Sequence, residues 1–438
     1  MFAYHLRLAW LSLRSSPVLA VLMVAAVGVG VGVCVTMLTV YHLMSGNPIP
    51  SKSEQLYRVQ VDSWDPNEPY TDRDGKPNPP DFMTWRDVQA LLPSDIPTRH
   101  AAMYRTTGVV EPENPDVAPT SEGIRATTRD FFGMFDVPFL FGAAWSSQDD
   151  EGRQVVVISR RLNEEVFGSE DSTGRTLRIS GALYRVTGVM DTWNPLPKFY
   201  DANYDRFGEA EEVFLPLQTA VDRQMQVNGN ISCWKPEPID DWQAFLNSEC
   251  VWLMYWAELP GPAQVAAYRD FLDAYAMEQK ALGRFPRPLN NTLRDIMDWL
   301  EYLNVVGDDS VVLVGLSFLF LAVCLLNAVG LLLARFIGAA PRVGLRRALG
   351  ASRGMVLRQH LVEVSLIGVA GGLVGLGVAT IGLWLIRRGW EDLERITSLD
   401  LTMTVGGIAL AVVASLLAGL WPAWRLCRIP PGQYLRTQ

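Results

Sequence analysis

Residues 17–43 read PVLAVLMVAAVGVGVGVCVTMLTVYHL, and this stretch decides the class of fold. It belongs to a longer run, residues 15–51, that contains no Asp, Glu, Lys or Arg. At about 1.5 Å per residue, roughly 23 helical residues rise about 35 Å, more than the hydrocarbon core of about 30 Å. The apolar stretch is too long for a secretory signal peptide and has no clear cleavage site. We therefore expect an uncleaved transmembrane helix at residues 17–45.

Three further stretches lack charged residues: 310–334, 364–386 and 401–424. A buried helix of a large soluble domain would explain one such run, but not four. The sequence therefore predicts a membrane α-helical fold with four transmembrane helices. Their predicted bounds are 17–45, 310–335, 360–386 and 401–424.

The charges are distributed unevenly along the 438 residues. Residues 46–306 hold 40 acidic and 24 basic residues, a net charge of −16. The rest of the chain holds 7 acidic and 14 basic residues, a net charge of +7. This division indicates one large domain outside the membrane, inserted between helices 1 and 2.

Basic residues in short loops set the orientation of the helices. Arginines without acidic neighbours occur before helix 1, between helices 2 and 3 and after helix 4, whereas the 387–400 loop mixes both signs. We expect both termini in the cytoplasm, and the large domain and the short 387–400 loop in the periplasm. The predicted cytoplasmic parts are an amphipathic N-terminal segment (1–16), a coupling loop or helix (336–359) and a tail (425–438).

The external domain, residues 46–306, is predicted to be mixed α/β. Porter-like parts at about 52–127 and 245–290 flank an inserted, mainly β part at about 128–220, and no structure is assigned within 191–247. Apolar periodicity and turn residues locate the elements. The predicted strands are 55–61, 99–111, 122–128, 153–158, 176–179, 184–189 and 250–258, and the predicted helices are 81–92, 159–167, 262–282 and a stalk at 292–306.

Two of the five cysteines, Cys233 and Cys250, lie in the external domain, 17 residues apart. In an oxidising compartment such a pair indicates a disulfide, and the alternative is two buried free thiols.

Motifs for catalysis are absent from the sequence. The stretch nearest to a nucleotide-binding loop, residues 168–176, has the wrong spacing and lacks the lysine. The four histidines are scattered, which suggests no metal site. Residues 350–354 match G-x-S-x-G, but they lie in a basic loop between two spans and not in a strand–turn–helix unit. We expect no catalytic, cofactor-binding or metal-binding residues in this chain and no nucleic-acid partner.

Glycines recur four residues apart in the third span, a spacing that lets helix backbones approach closely. The pairs are Gly368 with Gly372 and Gly371 with Gly375. We expect this helix to pack against another helix, in the same chain or across a dimer, with plain flexibility as the alternative. Asn327 is strongly polar within a span, and an interhelical hydrogen bond is favoured over a transport site.

Residues 341–377, PRVGLRRALGASRGMVLRQHLVEVSLIGVAGGLVGLG, resemble the signature of the MacB/FtsX-type permeases of ATP-binding-cassette (ABC) transporters. The family's basic "REIGIRRALGAS" stretch departs here at Pro341 and Arg342. Residues 127–190 resemble the outer domain of the macrolide-exporter branch. The matching residues are Gly344, Arg346, Arg347, Ala348, Leu349, Gly350, Ala351, Ser352, Glu363, Gly371 and Gly372, then Gly419, Pro422, Ala423, Arg425, Pro430, Leu435 and Arg436 near the C-terminus.

The resemblance implies a non-catalytic permease subunit in the bacterial inner membrane, with ATP and Mg on a separate ABC ATPase. It also implies a second permease chain, identical or related, with a periplasmic adaptor and membrane lipid as further candidate partners. Segment 341–352 is predicted to form a short helix along the cytoplasmic face that docks on the ATPase. The alternative is a membrane anchor that acts through charge alone. The predicted coupling residues are Arg342, Val343, Gly344, Leu345, Arg346, Arg347, Leu349 and Gly350.

The implied function is mechanotransmission: ATP-driven motion of the ATPase is relayed to the periplasmic domain and drives export or extraction of a substrate from the periplasm or outer leaflet. The alternative is a transmembrane signalling or scaffold subunit of the cell-division type. A membrane-bound hydrolase is disfavoured by the missing catalytic residues. The substrate is not identified by the sequence.

Overall fold

The computed structural model describes residues 2–112, 118–149, 153–168, 170–389 and 401–428. The chain forms two compact units. The membrane unit comprises Met1–Gly46 and Val306–Gln438, and the external unit comprises Asn47–Val305.

The membrane unit begins with two helices, α1 (Phe2–Ser15) and α2 (Pro17–Met44). Ser16 interrupts them with φ −140° and ψ 71°. Pro17 follows at the first position of α2, where its missing N–H costs no helical hydrogen bond. The predicted amphipathic segment is thus a helix separate from the first span.

The described part of the external unit contains one mixed sheet of ten strands and a two-stranded ribbon. The path through the sheet is β12-β1-β11-β2-β3-β8-β5-β7-β4, with β6 pairing to β2 and β7, and β9 pairs with β10. The strands are β1 (Leu56–Gln60), β2 (Arg99–Glu111), β3 (Thr120–Thr127), β4 (Phe139–Gly142), β5 (Val155–Ser159), β6 (Thr176–Ile179), β7 (Ala182–Met190), β8 (Val213–Pro216), β9 (Ser232–Cys233), β10 (Cys250–Val251), β11 (Met254–Glu258) and β12 (Thr292–Asp295).

The described residues of this unit include two hydrophobic cores beside its sheet. One surrounds β1, β2 and β11 and includes Trp252 and Tyr268, and the other surrounds β5 and β7 and includes Val156 and Val186. Parallel pairing of β3 with β8 joins the predicted porter-like and inserted parts in one sheet. The helices are α3 (Trp85–Leu91), α4 (Asp130–Met134), α5 (Arg160–Phe167), α6 (Leu217–Asp222), α7 (Trp242–Asn247), α8 (Pro262–Ala281) and α9 (Ile296–Tyr302).

Two predictions for the external unit are wrong. The stalk expected at 292–306 begins instead as the edge strand β12, whose Thr292–Asp295 pair with Gln60–Tyr57 of β1. The strand expected at 250–258 is two strands, β10 and β11. Trp252 and Leu253 separate them, and both donate their N–H groups to the Met83 carbonyl oxygen. Both differences come from pairing partners distant in sequence. The predicted hairpin around Ser180-Gly181 is confirmed.

The membrane unit continues with α10 (Asp308–Ala348), α11 (Arg353–Gly389) and α12 (Leu401–Cys427). In the described residues, four helices are long and apolar enough to span a membrane: α2, α10, α11 and α12. Helix α11 packs on α1, α2 and α12, and α10 packs on α2 and α12. The predicted fold class, four apolar helices with a mixed α/β domain between the first and second, is confirmed.

Candidate functional site

The candidate site lies where α2 begins, α10 ends, α11 begins and α12 ends, and we call this the basic end of the membrane unit. The separate helix predicted at 341–352 is absent. Helix α10 continues through Pro341 to Ala348, and α11 begins at Arg353. Phe336, Ala340 and Val343 pack in one core with residues of α2, α11 and α12, so packing holds the helix together although proline removes one of its hydrogen bonds.

The turn between α10 and α11 is built by three residues of the family-like motif, Gly350, Ala351 and Ser352. Gly350 has φ +100°, a backbone conformation that residues other than glycine rarely adopt. Its N–H donates to the Arg347 carbonyl oxygen at 3.1 Å. The Ala351 N–H bonds to the Arg346 carbonyl oxygen at 3.1 Å, which closes the helix end. Ser352 then caps α11, because its Oγ accepts from the Met355 N–H at 3.2 Å.

Exposed apolar side chains surround this turn. Leu349 is 80% exposed, and Leu345 and Met355 are also exposed. An ideal Cβ on Gly344 meets no atom within 4 Å, so packing inside the unit does not require a glycine there. Met355 was not identified from the sequence, since nothing in the motif marks it.

Two arginines of the basic end donate hydrogen bonds to groups within the membrane unit. Arg346 Nη1 donates to Gln359 Oε1 at 2.9 Å, and Arg347 Nη1 donates to the Cys427 carbonyl oxygen at 3.0 Å, at the end of α12. The side chain of Arg342 lies outside the described part of the structure, as do residues 429–438 of the tail. Arg346 and Arg347 therefore help to hold the helix ends together, a role that positive charge alone did not predict.

A buried charged cluster lies beside the turn and ties three helices together. Glu363 of α11, 1% exposed, forms an ion pair with Arg335 of α10 and accepts a hydrogen bond from Ser12 Oγ of α1 at 3.0 Å. His360 Nδ1 lies 3.2 Å from the second carboxylate oxygen. The resemblance marked Glu363, but Arg335 and Ser12 were not predicted as its partners. The one signal in the sequence was the i, i+3 spacing of His360 and Glu363.

The glycines of the third span face two different helices. An ideal Cβ on Gly375 would stand 3.0 Å from the Gly28 carbonyl oxygen of α2, and one on Gly371 would stand 2.8 Å from Val27 Cγ1. An ideal Cβ on Gly368 would stand 2.9 Å from Val412 Cα of α12, and one on Gly372 would stand 3.1 Å from Ala411 Cβ. Helix α11 is thus held closely on both sides within one chain.

In the external unit, Cys233 and Cys250 are joined in a disulfide between β9 and β10. A buried charge cluster anchors residues 198–211 to β3, with Arg125 Nη2 2.7 Å from Asp201 Oδ2 and Lys198 Nζ 3.0 Å from Glu211 Oε1.

Burial and charge act in opposite directions on the carboxylates of that cluster. Burial raises the pKa of Asp201 despite the nearby Arg125. For Glu211, burial also acts to raise the pKa, but Arg125 and Lys198 outweigh it and lower the pKa below its usual range. The fold holds the guanidinium group of Arg125 and the ammonium group of Lys198 beside these carboxylates. The cluster is therefore suited to fixing the 198–211 segment.

A polar cleft of about 590 Å³ also lies in the external unit, between the start of β2 and α6. His100, Asp130 and Gln218 line it. Burial lowers the pKa of His100, and its Nδ1 lies 3.2 Å from the Tyr255 hydroxyl. The described residues contain no group of three or more His, Cys, Asp or Glu side chains placed to hold a metal ion.

Residues 20–285 match the family of MacB-like periplasmic core domains, and residues 314–431 match the FtsX-like permease C-terminal family. The two matches therefore cover both the external domain and the helices that follow it.

Curated relatives are distant. The macrolide export ATP-binding/permease protein MacB of Bdellovibrio bacteriovorus is 22% identical over 74% of this chain and 43% of its own length. The uncharacterized ABC transporter permease YknZ of Bacillus subtilis is 28% identical over 66% of this chain and 62% of its own length. The chain thus spans less than half the length of that macrolide exporter.

Among solved structures, the periplasmic region of MacB from Actinobacillus actinomycetemcomitans aligns with 57% of this chain and 92% of its own, at 13% identity and a TM-score of 0.35. The family matches cover the greater part of the sequence, and the fold has the helices and the inserted domain in the corresponding places. The chain therefore belongs to the MacB/FtsX-type family of ABC-transporter permeases.

Proposed function

We propose that this chain is the permease subunit of a mechanotransmission transporter. In this proposal a separate ABC ATPase binds ATP and Mg and docks on the basic end. The chain relays the resulting motion to its external domain, which drives export or extraction of a substrate from the periplasm or outer leaflet.

The length and continuity of α10 carry this proposal. Its 41 residues form one helix from Asp308, directly after the external unit in the chain, to Ala348 at the turn. At about 1.5 Å per residue the helix is about 60 Å long, twice the hydrocarbon core of about 30 Å. A displacement at the turn is therefore transmitted along a single rod, without the joint that a separate coupling helix would introduce.

The surface around the turn supports docking by shape as well as by charge. Leu345, Leu349 and Met355 expose apolar side chains where a free-standing membrane anchor would need only basic residues. Apolar side chains at the centre of a contact are the usual source of binding energy between proteins. The family-like stretch thus presents a contact surface of its own beside Arg346.

The orientation follows from the same end of the molecule. Arginines cluster at the basic end, and this supports a cytoplasmic position for that end, with the external domain in the periplasm of a bacterial inner membrane. The outward side of α10, which exposes Leu319 and Leu326, is the surface on which a second permease chain, identical or related, would pack. A periplasmic adaptor remains a candidate partner of the external domain.

The decisive experiment alters the shape of the docking surface and leaves the arginines intact. We expect Leu349→Asp to abolish pull-down of the ABC ATPase and permease-stimulated ATP turnover while membrane insertion stays normal. The matched control is Leu282→Asp in the external unit, which makes the same change at a side chain that is 68% exposed. Unchanged ATPase binding and turnover in Leu349→Asp would reduce the segment to a charged anchor.

Orientation is tested separately by cysteine labelling of intact cells from outside. Engineered thiols at 60–240 and at 390–398, a range outside the described residues, should react, and those at 342–356 should not. Labelling of the 342–356 loop from outside would overturn the proposed topology.

Transport and signalling differ in what the ATPase achieves. A transporter needs continued turnover to move its substrate, whereas a signalling subunit of the cell-division type needs only to change the state of a periplasmic partner. Loss of substrate extrusion in a variant ATPase that binds ATP but does not hydrolyse it supports transport. Retained activity of a periplasmic partner in that variant would favour signalling.

A further inference from the structure

An apolar groove of about 520 Å³ runs along the membrane unit, where α1 and α2 meet α11. Its volume falls within the roughly 300–1,000 Å³ typical of sites for small ligands. Val21, Val24, Ala370 and Leu373 line it, and almost all of its lining surface is apolar. The groove lies at the basic end, beside the break between α1 and α2 at Ser16.

The position of α1 creates this groove. Ser12 on one face of α1 donates to the buried Glu363 of α11. Trp10, Leu13 and Arg14 lie on another face and line the groove. Ser12 and its buried partner fix the rotation of α1 about its axis, and this rotation leaves Trp10, Leu13 and Arg14 along the groove.

The rim carries the two kinds of side chain that favour a lipid headgroup region. Trp10 is exposed, and indole rings are enriched at the membrane–water interface. Arg14 is also exposed, and it takes part in none of the ion pairs found among the described residues. A guanidinium group that lines an apolar groove and has no carboxylate partner among the described residues is complementary to a phosphate joined to a hydrocarbon chain.

We propose that this groove binds one anionic glycerophospholipid. One acyl chain lies between α2 and α11, and the phosphate accepts hydrogen bonds from Arg14. With the orientation proposed above, the lipid comes from the cytoplasmic leaflet. The bound lipid fills the space between α1 and α11 on the side opposite Glu363, so α1 is supported on both faces.

The test uses the full chain, delipidated in mild detergent and titrated with phosphatidylglycerol or phosphatidylethanolamine of the same acyl chains. Bound lipid is counted by native mass spectrometry. We expect one phosphatidylglycerol to bind more tightly than phosphatidylethanolamine, and Arg14→Gln to weaken its binding about five-fold, the effect of one basic residue near an anionic lipid. The control Arg388→Gln, at the far end of α11, should leave binding unchanged.

A second variant tests the groove itself. Ala370→Trp fills the space for the acyl chain and should abolish binding of both lipids, whereas Leu417→Trp on the exposed side of α12 should not. Gel filtration of each variant verifies that it remains folded. Equal affinity of the wild-type chain for both lipids, or unchanged affinity in Arg14→Gln, would overturn the proposal.

The occupant is identified in membranes by a photo-crosslinking side chain in place of Ala370. A lipid adduct is expected. An adduct with a second permease chain or another protein would show that a helix, and not a lipid, covers the groove, and would also overturn the proposal. These outcomes are independent of ATPase docking, because neither Arg14 nor Ala370 lies on the turn that carries Leu349.

Discussion

An ideal Cβ on Gly368, inside α11, would stand 2.9 Å from the Cα of Val412, whereas an ideal Cβ on Gly344, in the last turns of α10, meets no atom within 4 Å. Gly350, six residues later, also has open space around it but needs φ +100°. All three lie within residues 341–377, the stretch that resembles the family signature. The comparison teaches that glycine has three different roles in this stretch. Gly368 permits close helix packing, Gly350 permits a positive φ, and Gly344 lies where no packing inside the unit requires a glycine. Each role can be tested.

Among the packed residues of the membrane unit, Glu363 is the one whose replacement should cause the largest loss of stability. We expect Glu363→Ala to destabilise the membrane unit by about 3–5 kcal/mol, because it leaves Arg335 buried without its counter-charge. Reversible unfolding in mixed micelles measures the free energy. Glu363→Gln, which can still accept from Ser12, should lose less than the alanine variant. A loss below about 1 kcal/mol for Glu363→Ala would show that the cluster is not a stabilising link.

The close approach of α11 and α12 is tested by Gly368→Leu. A side chain here meets backbone atoms of α12, so we expect a loss of about 1–3 kcal/mol or more in the same unfolding measurement. Gly377→Leu is the matched control on the same helix, since a Cβ at Gly377 meets nothing within 4 Å. Equal stability of the two variants would contradict the packing role of Gly368.

The role of glycine in the turn between α10 and α11 is tested first at Gly350. Gly350→Ala should cost about 1–3 kcal/mol through backbone strain alone, since there is room for the side chain. Gly350→Asn should cost less, because asparagine tolerates positive φ better than alanine. If alanine and asparagine are both tolerated without loss of melting temperature, the turn does not depend on this conformation.

The smallest effect on stability is expected at Gly344. Gly344→Ala should stabilise α10 by up to about 1 kcal/mol, because alanine is the better helix former and there is space for its methyl group. The same variant should weaken ATPase pull-down if a partner approaches the helix closely at this point. A gain in stability with full ATPase binding would remove Gly344 from the docking surface and leave that role to Leu345 and Leu349.

Much of the fold could be predicted from local patterns. The four apolar helices, the hairpin at 176–190 and α8, which begins at the predicted Pro262, all follow from periodicity, length and turn residues. The segment 191–247 could not be assigned, because its regular elements are short. Strand β8 has only four residues and is buried throughout, so no alternation of polar and apolar residues reveals it.

The candidate site was predicted by resemblance and not by geometry. Leu345 and Leu349 were named as coupling residues, and both are exposed at the turn. The partners of Glu363 could not be found from the sequence, since Ser12 lies 351 residues from Glu363 along the chain. Arg335 is the last residue of the predicted span 310–335, and the structure buries its side chain in an ion pair with Glu363.

The sequence by itself determined which segments enter the membrane, because the cost of placing charges in hydrocarbon depends on composition and length alone. It also determined where each glycine and arginine stands along its helix. Only the tertiary structure decided that Gly371 and Gly375 face α2 while Gly368 and Gly372 face α12, and that α10 continues through Pro341. The physical reason is that packing and buried ion pairs depend on which distant surfaces meet, and neighbouring residues in the chain do not specify that.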